Sequence, residues 1–384
     1  MAFAHSPKIV TDGMVFYYDT GNSKSYKGEP TTNFMPSLYY TGSGISTGSD
    51  EIGSYIEGTV TRIGCPNGTS INSGSTYTFT IEIRADIAFS MSADSNQYSP
   101  ENAGNDANRV SVSYVLPNYT DPGEWVTYST TVVMKSGLTN PTMFDFFIPV
   151  NFTGRMYYRN AQLEYKDHPT QYTAGTRSAT EGLLDFTKNN IIDLTNVSFD
   201  SDAQMTFDGS NDELQIDVDS WIRDVESVTI EGVVEIPAGA AIGGGPWSIM
   251  TNQTDVTQRD GFWWHLRLGG GYTYFRVEDT VNGEQGITFS NPSSFSAGNT
   301  YHITTIIGST GVYVYNNGVL VESYSPPFRW ADISATNAAT LFIGRTYPNY
   351  YLNSTNHLVK VYNRALSAEE VQQNFNTIKG RFGI

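Results

Sequence analysis

Thr310-Gly-Val-Tyr-Val-Tyr-Asn-Asn-Gly-Val-Leu-Val-Glu-Ser-Tyr324 is the stretch that decides the fold class. β-branched and aromatic side chains alternate with period two on both sides of Asn316-Asn317-Gly318, the pattern of half-buried antiparallel strands. Asn and Gly supply the positive φ that a tight hairpin demands, so the segment predicts a two-stranded hairpin turning at Asn317-Gly318.

The same alternation recurs along the chain, as in Thr76-Tyr-Thr-Phe-Thr-Ile-Glu-Ile-Arg84, Gly13-Met-Val-Phe-Tyr-Tyr-Asp19 and His357-Leu-Val-Lys-Val-Tyr362. One segment carries a helical period instead. In Ser367-Ala-Glu-Glu-Val-Gln-Gln-Asn-Phe-Asn-Thr-Ile-Lys379, Ser367 with Glu370 forms a capping-box pattern, and Val371, Phe375 and Ile378 share a stripe. The expected fold class is therefore all-β: antiparallel β-sandwiches closed by one short C-terminal α-helix.

Composition agrees and narrows the function. The 384 residues leave room for two or three domains. Only 16% are charged, while Gly 36, Tyr 25 and Phe 20 suit strands with polar turns. Lys+Arg 22 against Asp+Glu 39 gives a net charge of −17, which opposes a general nucleic-acid or anionic-membrane surface. Cys65 stands alone, which excludes an intramolecular disulfide and a Cys-built zinc site. The amino terminus has no signal-peptide pattern, and no run approaches ~18 continuous apolar residues, so the reading is a soluble chain without secretory export or membrane insertion. The sequons at Asn67, Asn118, Asn151, Asn196 and Asn353 are then coincidences of an Asn/Ser/Thr-rich sequence.

Turn-rich stretches at 28–36 and 169–178 separate two blocks. Residues 33–178 read as a self-contained block, and residues 1–32 with 179–384 as one discontinuous sandwich whose first strand, near 13–19, partners the last, near 357–362. Insertion at a surface turn costs little when the inserted domain's ends lie close together.

Ile9-Val-Thr-Asp-Gly-Met-Val-Phe-Tyr-Tyr-Asp19, Phe207-Asp-Gly-Ser-Asn-Asp212, Leu341-Phe-Ile-Gly344 and Val361-Tyr-Asn-Arg-Ala-Leu-Ser-Ala-Glu-Glu-Val371 resemble the concanavalin A-like (laminin G-like) sandwich of tailed-phage virion proteins. The middle block, with Asn33-Phe34, Gly123-Glu-Trp125 and Tyr157-Tyr-Arg-Asn-Ala-Gln-Leu-Glu164, resembles carbohydrate-binding-module jelly rolls. The resemblance implies a non-enzymatic virion structural or accessory protein, assembled in the host cytoplasm and carried on capsid, neck or tail. Its implied partners are other virion proteins and host surface glycan. An alternative within the same resemblance is a host receptor-binding tail protein, and a polysaccharide depolymerase is a third.

Glycosidases need two carboxylates about 5–10 Å apart across the sugar bond. The Glu-x-Asp-x-x-Glu run of concanavalin-like glycanases is missing here. Glu231-Gly-Val-Val-Glu235 comes nearest, and it reads as a solvated strand face without the middle acid. No nucleophile elbow and no catalytic residue is assigned. His265, His302 and His357 sit singly and read as structural.

Sugar binding needs exposed aromatic faces flanked by hydroxyl-fixing polar groups. Tyr347-Pro-Asn349-Tyr350-Tyr351 falls on a predicted loop, and Trp263 and Trp264 alternate, so one of the pair faces away from the core. These six residues, Trp263, Trp264, Tyr347, Asn349, Tyr350 and Tyr351, are the candidate glycan ligands. Asp200, Asp202, Asp208, Asp212, Glu213, Asp217 and Asp219 form an acidic run; Asp208 and Asp212 are its candidate Ca²⁺ ligands, weighed against a turn at Asp208-Gly209. Long sheet edges and aromatic-rich segments at 262–275 and 347–351 predict a homo-oligomer or multicopy array.

Overall fold

A computed structural model describes residues 8–35, 37–65, 72, 74–91, 117–133, 146–217, 225–238, 247–251, 261–267, 272–279, 283–290, 296–325, 340–346 and 350–384. The chain divides into two compact units: Met1–Gly28 with Ala179–Asp200 and Gln204–Ile384, and Glu29–Ser178 with Ser201–Ala203. Both are built from antiparallel strands, and the fold is all-β with one helix at the C-terminal end.

In the larger unit a six-stranded sheet runs in the order Met14–Asp19, Thr355–Tyr362, Val228–Glu235, Thr300–Gly308, Gly311–Asn316, Val319–Tyr324. The first strand therefore pairs with the last, Tyr18 opposite Val359 and Asp19 opposite Leu358. A seven-stranded sheet runs Ile192–Asn196, Glu213–Asp217, Thr340–Ile343, Trp247–Thr251, Gly261–Arg267, Tyr272–Asp279, Gly283–Ser290. Phe16, Tyr18, Ile230, Val234, Ile303, Val312 and Val359 from the first sheet share one core with Leu214, Ile216, Met250, Trp264, Leu341 and Ile343 from the second. The hairpin turn forms at Asn317 and Gly318, with φ of 49° and 77°.

The helix spans Ala368–Phe382. Ser367 caps it, accepting from the Glu370 N–H while the Glu370 carboxylate accepts from the Ser367 N–H, which satisfies two otherwise orphaned amides. Val371, Phe375 and Ile378 are buried, as the stripe predicts, but Asn374 is buried with them. Val371 packs with Ile306, Tyr315 and Tyr362, and Ile378 with Tyr17, Val233 and Leu358. The helix thus covers the face of the six-stranded sheet that points away from the main core.

That cover corrects one expectation. Glu231 does not lie on a solvated strand face: it is fully buried, whereas Glu235 is exposed and pairs with His357 at 2.9 Å. The strand Val228–Glu235 is buried on both faces up to its last residue, because one face meets the second sheet and the other meets the helix.

In the smaller unit the six-stranded sheet includes, in order, Tyr39–Ser49, Ser54–Cys65, Phe146–Glu164, Thr76–Ala85 and Val126–Val133. Tyr77, Phe79, Ile81 and Ile83 enter a core with Ile56, Val60, Tyr128, Phe152 and Leu163. The alternate residues make the opposite face polar, with Thr78 hydrogen-bonded to Thr131 at 2.8 Å and Thr80 to Ser129 at 3.1 Å.

Candidate functional site

The polar face of the smaller unit carries the best-built site among the described residues. Its origin is a bulge in the strand Phe146–Glu164. Thr80 pairs with Gln162 and Glu82 with Arg159, so Asn160 and Ala161 together oppose Ile81. Asn160 sits at φ 53°, a left-handed conformation that asparagine tolerates better than most residues. The bulge brings Asn160 and Arg159 onto one carboxylate: Asn160 Nδ2 donates to Glu82 Oε1 at 2.6 Å, and Arg159 Nε donates to Glu82 Oε2 at 2.7 Å. The Arg159 guanidinium in turn lies 4.1 Å from the centre of the Trp125 ring.

Two clefts flank this bulge, both lined by Asn160 and Tyr172. The first, about 460 Å³, adds Asn33, Trp125, Tyr158 and Arg159. The second, about 430 Å³, adds Thr80, Glu82, Thr127 and Gln162. Volumes of this order accommodate small organic ligands.

A strap over residues 165–178 forms one wall, and buried polar groups hold it. Glu164 accepts from Thr31 Oγ1, the Thr170 N–H and Thr170 Oγ1 at 2.9, 2.8 and 2.6 Å. Gln162 Oε1 accepts from the Thr173 N–H at 2.8 Å, and Arg177 donates to the carbonyls of Glu29 and Gln171. Tyr172, 43% exposed, is therefore an aromatic on a positioned backbone. At the start of the strap His168 lies between Asp167 and Glu29, at 2.7 and 2.6 Å, and Lys166 also pairs with Glu29. Burial works against the His168 cation, but the two carboxylates outweigh it and raise its pKa.

Glu82 and Arg159 compensate each other's charge, so the site is close to neutral. It offers fixed amide, hydroxyl and carboxylate groups beside Trp125, Tyr158 and Tyr172. Such a surface suits a hydroxyl-rich, uncharged ligand, whose C–H face stacks on a ring while its hydroxyls meet paired donors and acceptors.

The residues singled out from sequence fare differently. Trp264 is a correction: it is completely buried in the main core of the larger unit, so its ring is closed to ligand. Trp263 lies in the strand Gly261–Arg267 opposite Thr251 and Arg276, and its side chain lies outside the described residues. Tyr347 and Asn349 also lie outside them. Tyr350 and Tyr351 form a short strand against Arg345–Thr346, with Tyr351 half-buried.

Asp208 and Asp212 are bound to main-chain amides. Asp212, 1% exposed, accepts from the Ser198 and Asp208 N–H groups at 2.7 and 2.8 Å, and Asp208 Oδ1 accepts from the Ser210 N–H at 2.7 Å. This is the geometry of a pinned turn around Gly209, φ 84°. Glu213 is engaged by Arg345, Asn196 and Gln215. Among the described residues no group of three His, Cys, Asp or Glu side chains is placed to hold a metal ion. The residues that build the groove, Glu82, Trp125, Asn160 and Tyr172, were not candidates from sequence. The bulge that assembles them leaves only an Arg-Asn pair in an otherwise alternating run.

Comparison with protein families bears on the larger unit. A model of the concanavalin A-like lectin/glucanases superfamily (Laminin_G_3) matches residues 241–372, about a third of the chain and within the larger unit. No curated protein matches the chain. Among solved structures it is similar to the receptor-binding domain of botulinum neurotoxin D, at 15% identity and a TM-score of 0.40, covering 53% of this chain and 51% of that one. It is also similar to the binding domain of Paraclostridial Mosquitocidal Protein 1, at 18% identity and a TM-score of 0.39, covering 51% and 49%. The chain spans about half the length of each of these structures.

Proposed function

We propose that this chain is a non-enzymatic accessory protein of a tailed-phage particle that binds neutral cell-surface glycan through the groove around Asn160. The carrying observation is the Glu82–Asn160–Arg159–Trp125 constellation, an aromatic-flanked polar site whose members are already fixed by one another. The match of residues 241–372 to a lectin/glucanase family model, in the other unit, supports a carbohydrate ligand for the chain. The phage assignment rests on the sequence resemblance, together with a strongly acidic chain of rigid β modules. Weak single sites would gain from repetition, because linked sites raise avidity by roughly 10²–10⁴ over one. For that reason a multicopy arrangement among other virion proteins is part of the proposal.

A glycan array followed by calorimetry on the full chain tests it. Trp125→Ala and Tyr172→Ala should each weaken binding roughly two- to tenfold, the worth of one aromatic contact at ~0.5–1.5 kcal/mol. Binding should change little with salt, since the site is near neutral. Failure of every neutral glycan to bind, or retention of affinity in the double variant, would refute the site. Release of new reducing ends from host polysaccharide would instead establish the depolymerase reading.

A further inference from the structure

Beneath the helix of the larger unit lies a polar cluster that glycan binding does not use. Glu231, Lys360, Tyr362, His302 and Asn374 are all fully buried. Lys360 Nζ donates to Glu231 Oε2 at 3.1 Å, and Asn374 Nδ2 donates to the same oxygen at 2.9 Å. The second Nδ2 hydrogen goes to Tyr362 Oη at 2.9 Å. Asn374 Oδ1 accepts from the Val10 N–H at 2.7 Å, and Tyr362 Oη donates to the Val10 carbonyl at 3.1 Å. The other Glu231 oxygen faces Thr304 Oγ1 at 3.4 Å and His302 Nε2 at 3.5 Å.

An amine and a carboxamide held on one buried carboxylate oxygen are the reactants, and that carboxylate the proton carrier, of an amide exchange. We propose that Lys360 and Asn374 become covalently joined, Nζ to Cγ, with loss of ammonia and with Glu231 moving the protons. In the resting state Lys360 and Glu231 are an ion pair. Lys360 holds Glu231 ionised, so the reactive species is the minor neutral pair reached when one proton passes from Nζ to Oε2 along their hydrogen bond, a form that burial favours by withholding hydration from the two charges. The Nζ lone pair then attacks Cγ, and the carbonyl electrons move onto Oδ1, where the Val10 N–H meets the developing charge. Glu231 gives its proton to Nδ2 and takes one from Nζ. The Cγ–Nδ2 bond breaks, the carbonyl re-forms and ammonia departs. No oxidant or external reagent enters, and Glu231 ends as it began the attack. The fold supplies the proximity, with the reactants on the strand Thr355–Tyr362 and on the helix that covers it.

Mass spectrometry of the denatured full-length chain decides the matter. The folded, purified protein should weigh one ammonia less than its sequence requires. Its tryptic digest should contain a branched peptide joining residues 346–364 to 365–379 through Lys360 and Asn374. Asn374→Ala and Lys360→Met should restore the full sequence mass, and Glu231→Gln should do so while retaining the β-rich circular dichroism of the parent. A wild-type chain that keeps its full mass after prolonged incubation in the folded state overturns the proposal without recourse to any variant. So does an ammonia loss that maps to a single linear peptide, as a succinimide would. A bond that still forms in Glu231→Gln overturns the role given to Glu231.

Discussion

At the scale of single residues, buried polar groups fix more of this molecule than its exposed aromatics do. Asp212 is the clearest case. Its two oxygens satisfy the amides of Ser198 and Asp208, so Asp212→Ala should leave two part-buried N–H groups without their side-chain acceptor. The expected loss is about 1–3 kcal/mol per stranded group, visible as a lower midpoint in urea denaturation. His168 makes a different prediction. Its folded pKa is raised above the unfolded value near 6.5, so the bridge to Glu29 and Asp167 contributes fully below about pH 6.5 and is lost as pH rises through the folded pKa. His168→Gln should flatten that part of the stability profile. NMR titration of the imidazole gives the folded pKa directly, and an unshifted or lowered value would contradict the bridge.

Among the elements, the helix and the hairpin were both legible from local pattern because their determinants lie within a few residues of one another. Ser367→Ala removes the acceptor of the Glu370 N–H and should cost ~1 kcal/mol in thermal or urea unfolding of the larger unit. In the hairpin, a Cβ at Gly318 would come 2.9 Å from Phe375 Cδ1 while forcing φ 77° on a chiral residue. Gly318→Ala should therefore destabilise the molecule by more than a surface glycine substitution such as Gly380→Ala. The strand Val228–Glu235 shows where pattern fails. Alternation marks a strand with one wet face, and a strand roofed by a helix is buried on both. Glu231 accordingly looked like a surface acid, yet its neighbours Lys360, His302 and Asn374 come from two other strands and the helix, all more than seventy residues further along the chain. Paired with them, its pKa falls to about 2 despite the opposing effect of burial.

For the whole molecule, the ends of the larger unit are fastened to each other. Val10 bonds to Asn374, Lys8 to Gln373, the Asn363 N–H to the Gly13 carbonyl and Arg381 to Asp19. A chain of residues 179–384 would lose the edge strand Met14–Asp19, expose the edge of Thr355–Tyr362 and leave Arg381 without its buried carboxylate. It should be insoluble or melt without cooperativity, while a fusion of 1–32 to 179–384 should melt as one unit by circular dichroism. A monomeric, cooperatively melting 179–384 would contradict this account.

The sequence by itself determined the all-β class, the hairpin at Asn317-Gly318 and the capped C-terminal helix, because each is written in local periodicity or turn chemistry. Only the tertiary structure decided which side chains face one another across long separations. It sent Trp264 into the core, spent Asp212 on backbone amides, and used the bulge at Asn160 to turn an ordinary strand face into a groove beside Trp125 and Tyr172. Those outcomes depend on register and on what covers each sheet face. One extra residue in a strand changes both, and period-two alternation in the sequence does not encode it.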